Sequence, residues 1–66
     1  PDGVRLLRRL ATDARGLLRP GGHLVAELGG DQAEAVVAEW SALGYRRPTV
    51  LADDDGDPRL VEARWG

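Results

Sequence analysis

The first part of the chain places apolar residues at helical spacing. Intervals of mostly three and four residues separate them, as on one buried face of a helix: Val4, Leu7, Leu10, Ala11, Ala14, Leu17 and Leu18. Asp2 can cap the start of this helix. Pro20 disfavours a helical residue before it, and Gly21-Gly22 permit a turn. The pattern predicts a helix from about residue 3 to 18.

The next segment, residues 23–28, is short and mostly apolar. It lacks a clean alternation of apolar and polar positions, which is typical of a strand covered on both faces. Gly29-Gly30 interrupt it. The segment therefore predicts a first strand.

A second helical pattern follows the two glycines. Asp31 followed three residues later by Glu34 resembles a capping box that opens a helix. The apolar stripe of this helix consists of Ala33, Val36, Val37, Trp40 and Leu43. Gly44 stands where a left-handed C-terminal cap belongs, so we expect the helix to end at about Leu43.

Two further strands complete the pattern, residues 47–52 and 59–65. In the second of them one face carries Arg59, Val61, Ala63 and Trp65. The polar, turn-rich residues 53–58 between the strands predict a hairpin. The fold class is therefore α/β in the order helix, strand, helix, strand, strand. A short crossover implies that the first two strands form a parallel pair and that the last strand runs antiparallel.

Composition narrows the functional classes. Hydrophobic residues make up 42% of the chain, which fits a folded globular segment rather than a disordered one. There is no cysteine, so disulfides and thiolate metal sites are excluded, and the single His23 cannot form a metal site alone. Acidic residues outnumber arginines, which argues against a nucleic-acid interface. No apolar run approaches the roughly 20 residues that span a bilayer.

Four short features have both a functional and a structural interpretation. The cluster of Asp53, Asp54, Asp55 and Asp57 suggests calcium. However, an EF-hand loop with Gly56 at its sixth position would put Leu51 at the first ligand position, so a solvated hairpin turn is favoured. Gly29-Gly30 before a helix suggests anion binding, but Asp31 opposes it. Glu27 is either a functional carboxylate or an exposed strand end. The arginines of the first helix form a basic stripe or, in the favoured interpretation, a solvated face.

Several stretches together resemble a known enzyme family. The turn in LLRPGGHLVAEL is similar to one that precedes the fifth strand of class I, Rossmann-like methyltransferases. PDG at the start of the first helix, AELGGDQ after the turn and DDDGDPRLVEAR near the end resemble the HemK-type release-factor glutamine methyltransferases. The resemblance covers essentially the whole chain.

This resemblance implies that residues 1–66 are a single partial domain, the C-terminal piece of a methyltransferase catalytic domain. Its strands would correspond to the last three of a seven-stranded sheet, with the final antiparallel strand inserted between the other two. The intact protein would use S-adenosylmethionine, act on peptide-chain release factors and be cytoplasmic. The family's glycine-rich donor loop and Asn-Pro-Pro-Tyr motif do not occur in this sequence, so no catalytic or cofactor-binding residue is assigned and the chain alone is expected to be inactive.

The end of the first strand is the one place where site residues are expected, because ligands of open α/β sheets bind beyond the carboxyl ends of strands. A substrate-side wall would consist of Glu27, Gly29, Gly30, Asp31 and Gln32. The expected partners are the upstream part of the same protein and, for the isolated chain, a second copy. The dimer would cover the open edge of residues 23–28 and a stripe made of Leu7, Leu10, Ala14 and Leu17.

Two alternatives stay open at this point. The first alternative to the release-factor methyltransferase fragment is a free-standing α/β module that binds a protein partner. The second is the same end piece of a methyltransferase with another substrate, since the fold is shared across that superfamily.

Overall fold

The computed structural model describes residues 2–66, and their side chains from Gly3 onward. The elements are α1 (Asp2–Ala14), β1 (His23–Glu27), a 3-10 turn (Gly30–Gln32), α2 (Ala33–Ala42), β2 (Tyr45–Ala52) and β3 (Pro58–Trp65). The predicted α/β order is therefore confirmed. The expected cap by the Asp2 side chain lies outside the described part.

The three strands form one sheet in the order β1-β3-β2, and β3 is antiparallel to both neighbours. β1 and β2 thus run in the same direction but do not pair, so the parallel pair expected from the short crossover is wrong. The inserted last strand that the resemblance implied is confirmed. β3 carries Val61 and Ala63, which are 0% and 1% exposed. In the central position this most buried strand has both of its edges paired.

Both helices pack on one face of the sheet. The core joins residues of α1, α2, β2 and β3 with Leu28: Ala11, Leu28, Val36, Trp40, Tyr45, Val61 and Ala63. Along β1 exposed and half-buried residues alternate, and Val25 on the uncovered face is 50% exposed. The expectation that β1 is covered on both faces is therefore wrong for residues 2–66, because both helices lie on the same side.

Two aromatic side chains fix the helices to each other and to the sheet. Trp40 in α2 donates its indole N–H to the carbonyl of Leu7 in α1, at 3.2 Å. Tyr45 at the start of β2 donates its hydroxyl to the carbonyl of Ala11, at 2.7 Å. The ring of Tyr45 lies between those of Trp40 and Trp65, with centroids 5.5 and 5.1 Å away. Burial raises the pKa of Tyr45, an effect that Arg15 opposes.

α1 ends earlier than its apolar spacing predicted. It stops at Ala14 instead of about residue 18, and the amides of Leu17 and Leu18 both donate to the carbonyl of Ala14, at 2.9 and 3.0 Å. Gly16 in this turn is a poor helix former. The turn packs Leu18 against the core and leaves Leu17 87% exposed.

Gly44 has a φ of 103° after the end of α2, so the predicted left-handed cap is confirmed. Its amide donates to the carbonyl of Ser41, at 3.1 Å. A Cβ built on Gly44 would lie 3.2 Å from the Trp65 ring. A side chain at this position is therefore strained by its backbone conformation and crowded by the Trp65 ring.

We expect Gly44→Val to lower the free energy of unfolding by about 1 kcal/mol or more, because valine is strained at positive φ and presses on Trp65. Urea denaturation followed by circular dichroism measures the change. Gly56→Val is the matched control, since Gly56 also has positive φ (85°) but open space around it. An equal loss in both variants would show that the Trp65 contact contributes nothing.

Candidate functional site

The segment after β1 is held against the start of β3. The amide of Leu28 donates to the carbonyl of Arg59, at 2.9 Å, and the Leu28 side chain is buried in the core. Glu27 lies opposite Leu60 in the strand register. Glu27, Gly29, Gly30 and Asp31 are exposed, and Gln32 is half-buried. The structure thus places the five expected wall residues together at the carboxyl end of β1.

The turn into α2 is capped by Gln32, which corrects the predicted capping box of Asp31 and Glu34. The Gln32 side-chain oxygen accepts the backbone N–H of Gly29, at 2.7 Å, and the backbone N–H of Gln32 donates to the Gly29 carbonyl, at 3.0 Å. A 3-10 turn precedes α2 and moves the start of the helical segment back to Gly30. The signal in the sequence was the glutamine three residues after Gly29, which is the second half of a capping box.

Gln32 also connects this turn to α1. A Cβ at Gly3 would collide with the Gln32 amide nitrogen. The bare glycine therefore leaves room for the side chain that holds the turn. In this way α1 packs against the turn that precedes α2.

A cleft of ≈ 400 Å³ opens beside this segment, lined by Glu27, Leu28, Arg59 and Leu60. Pro58 also lies close to Gly30, since a Cβ on that glycine would be 3.7 Å from the proline ring. Sequence reasoning missed the β3 residues because it did not use the inserted position of β3. That position sets the start of β3 beside the end of β1.

The hairpin between β2 and β3 is organised by Asp53. One carboxylate oxygen accepts the amides of Asp55 and Asp57, at 2.9 and 3.0 Å, and the other accepts the guanidinium of Arg59, at 2.7 Å. The hydrogen bond from Arg59 is the largest cause that lowers the pKa of Asp53, followed by the Asp57 amide. Asp53 therefore positions the cation at the edge of the cleft.

The predicted hairpin turn is confirmed, and its carboxylates do not need an ion to explain their arrangement. Oxygens of Asp53, Asp55 and Asp57 lie within 4.8 Å of one another. Both oxygens of Asp53 already accept hydrogen bonds from the protein. The turn is thus stabilised by N–H donors.

The other candidate groups lie away from the cleft. Arg8 pairs with Glu39 at 3.4 Å and Arg9 with Asp13 at 3.8 Å, both on the exposed side of α1. His23 is at the opposite end of β1. As for membranes, neither helix in the described range has the length and apolar content required for a crossing.

Comparison with known proteins identifies relatives for nearly the whole chain. Release factor glutamine methyltransferases are 46% identical over 63 residues in Cereibacter sphaeroides and 48% identical over 64 residues in Moorella thermoacetica. Each match covers 96% of this chain but 23% of the relative, at its C-terminal end. A bifunctional methyltransferase of Rickettsia felis is 35% identical over 60 residues, which is 11% of its length. No family model and no solved structure matches the chain.

We expect Asp53→Ala to lower the melting temperature at pH 7, because it removes three hydrogen bonds of the hairpin. Folding lowers the pKa of Asp53. The stabilisation of the fold by the Asp53 carboxylate is therefore fully present above the ordinary pKa of 3.8 and is lost as the pH falls through the lower pKa of the folded state. Wild type and variant should therefore converge in melts at decreasing pH. Asp54→Ala, an exposed neighbour in the same turn, is the control. A pH-independent difference would contradict the role of the ionised carboxylate.

Proposed function

Since the chain is homologous to the C-terminal part of release factor glutamine methyltransferases, we propose that the whole protein is an enzyme of this kind. It transfers a methyl group from S-adenosylmethionine to a glutamine side chain of a peptide-chain release factor. The observation that carries this proposal is the 46% sequence identity to such an enzyme, in an alignment that covers 96% of the chain. A release-factor substrate also leads us to infer a cytoplasmic location.

In this proposal residues 1–66 form a single partial domain with two tasks. The three-stranded sheet and its two helices are scaffold. The segment of Glu27 and Gly29–Gln32 is one wall of the acceptor-protein pocket, and Arg59 adds a cation that Asp53 holds in place. The cleft between them is the part of the chain that faces the substrate.

The remaining partner is the upstream part of the same protein. The chain spans 23% of the curated relatives, so most of such an enzyme lies in that part. The donor loop and the catalytic motif belong there too. The isolated chain therefore neither binds S-adenosylmethionine nor transfers a methyl group.

A methyltransferase with a second or different substrate is the alternative that a specific observation favours, because one relative is named a bifunctional methyltransferase. A free-standing interaction module is the other alternative. The reading frame upstream of Pro1 distinguishes it, because a module of this kind has no glycine-rich loop or Asn-Pro-Pro-Tyr motif before it.

We expect titration calorimetry to show no binding of S-adenosylmethionine to the 66-residue chain at micromolar concentrations. The full-length protein should bind the donor and transfer labelled methyl to a purified release factor, on a glutamine located by mass spectrometry. Donor binding by the short chain would contradict its scaffold role. Methylation of a different protein by the full-length enzyme, with none on the release factor, would reject the proposed substrate.

The wall is tested by Glu27→Gln in the full-length protein. If the carboxylate contacts the acceptor protein, kcat/KM for the release factor should fall by about ten- to a hundredfold, since hydrogen bonds to charged groups contribute about 1.5–3 kcal/mol. KM for S-adenosylmethionine should not change. Glu34→Gln removes another exposed carboxylate, on α2 and outside the cleft, and should match the wild type. Equal kinetics for all three proteins would remove Glu27 from the site.

A further inference from the structure

Arg59 is the only cation among the described residues that line the cleft at the carboxyl end of β1. Its side chain is 64% exposed although it is hydrogen-bonded, and the Asp53 side chain that it contacts is 26% exposed. The bond to Asp53 uses the Nε–H of Arg59. The other N–H donors of a guanidinium lie on its Nη atoms. An acceptor group in the cleft can therefore reach these donors while Asp53 keeps its own bond.

Asp53 is itself held in place by the backbone of the hairpin. One of its carboxylate oxygens accepts the N–H groups of Asp55 and Asp57, and the other oxygen accepts Arg59. Because the first oxygen is fixed by two bonds, the second keeps its direction toward the guanidinium. The turn thus positions Arg59 before any ligand arrives, which reduces the conformational entropy that binding costs.

The hairpin is closed without the help of Arg59. The N–H of Asp53 donates to the carbonyl of Asp57, at 2.9 Å, and the N–H of Gly56 donates to the carbonyl of Asp53, at 3.0 Å. An ion pair as exposed as that of Arg59 and Asp53 contributes little to folding stability. A cation that is held in place beside a cleft, with most of its surface exposed, is therefore better explained by binding than by folding.

The cleft carries charges of both signs. Glu27 lies opposite Leu60 on the face of the sheet without helices, whereas Arg59 alternates in step with the core residue Val61. Within residues 2–66 Arg59 pairs with Asp53, and no salt bridge joins it to Glu27. A fitting ligand offers an anionic group to Arg59 and a hydrogen-bond donor to Glu27. A polypeptide segment with an acidic side chain offers both, because its backbone supplies N–H donors.

The position of the cleft favours a substrate as its occupant. It lies at the ends of two paired strands, the carboxyl end of β1 and the start of β3, and not along the outer edge of β1. Ligands of open α/β sheets bind beyond the carboxyl ends of strands, whereas further strands of the same sheet add along an edge. The buried Leu28 closes the inner side of the cleft.

We propose that Arg59 binds a carboxylate of the release factor and that Asp53 is its positioning residue. This inference rests on the proposed function, since it takes the release factor as the occupant of the cleft. A planar guanidinium binds a carboxylate through two parallel hydrogen bonds, so it fixes the orientation of the acceptor protein as well as strengthening its binding. Glu27 accepts N–H groups of the same segment.

Binding and methyl transfer by the full-length protein test the two roles. Arg59→Gln should raise both the dissociation constant and KM for the release factor about tenfold, with kcat and KM for S-adenosylmethionine unchanged. Asp53→Asn keeps an oxygen for the hairpin N–H groups but sets a donor against Arg59, so we expect a rise of about threefold. The double variant should match Arg59→Gln, because Asp53 acts through Arg59. Arg64→Gln, at the other end of β3 and outside the cleft, is the control.

The carboxylate is located by changing acidic residues of the release factor, near the methylated glutamine, to their amides one at a time. One such change should weaken binding to the wild-type enzyme about tenfold and leave binding to Arg59→Gln unaltered. If the release factor is methylated but no change behaves in this way, the inference is overturned and the proposed function stands.

Additive losses in the double variant would overturn the positioning role of Asp53. A lower melting temperature of full-length Arg59→Gln, with an unchanged dissociation constant, would assign Arg59 to a contact within the enzyme and overturn the proposal. If the wild-type enzyme does not methylate the release factor, the proposed function is rejected together with this inference.

Discussion

The position of β3 between β1 and β2 is the constraint on which the rest of the structure depends. In this position β3 pairs with both β1 and β2, which a whole helix separates in the sequence. Its residues Val61 and Ala63 then lie beneath both helices. The helices are then fixed by two polar atoms at the edge of an apolar core, the indole nitrogen of Trp40 and the hydroxyl of Tyr45, which bond to carbonyls of α1. Buried polar groups of this kind are costly when unpaired, so they select one orientation of α1.

The cleft is a consequence of the same insertion. Glu27 ends one strand and Arg59 lies near the start of another, more than thirty positions later in the sequence. Antiparallel pairing sets Glu27 opposite Leu60, the residue next to Arg59, and both charged residues line the cleft. Hydrogen bonds in two turns hold the backbone on either side of the cleft. Gln32 closes the turn before α2, and Asp53 closes the hairpin before β3. Under the proposed function, this arrangement is one wall of the acceptor-protein pocket.

Local sequence patterns predicted the elements well and their lateral arrangement less well. These patterns reflect contacts between residues close in sequence: helical spacing, the alternation along β3 and the glycine after α2. The positive φ of Gly44 was predicted in this way. Strand order depends on long-range packing, so the residues alone favoured a parallel pair, and only the family resemblance indicated the insertion. The predicted α1 was too long because Leu17 and Leu18 continue the helical spacing, although Leu18 reaches the core from a turn. At the site, the glutamine cap was overlooked because Asp31 and Glu34 matched the commoner motif, and Arg59 because its neighbour in space is distant in sequence.

Strand insertion also has a consequence for the order in which the chain can assemble. β3 follows β1 and β2 in the sequence, so during synthesis it leaves the ribosome after both of them. Until then β1 lacks its inner neighbour, and α1 and α2 have no central strand to cover. The β2–β3 hairpin closes a short loop and can form quickly, whereas docking β3 onto β1 closes a much longer one and is slow. β1 is therefore the strand whose inner edge stays unpaired for the longest time.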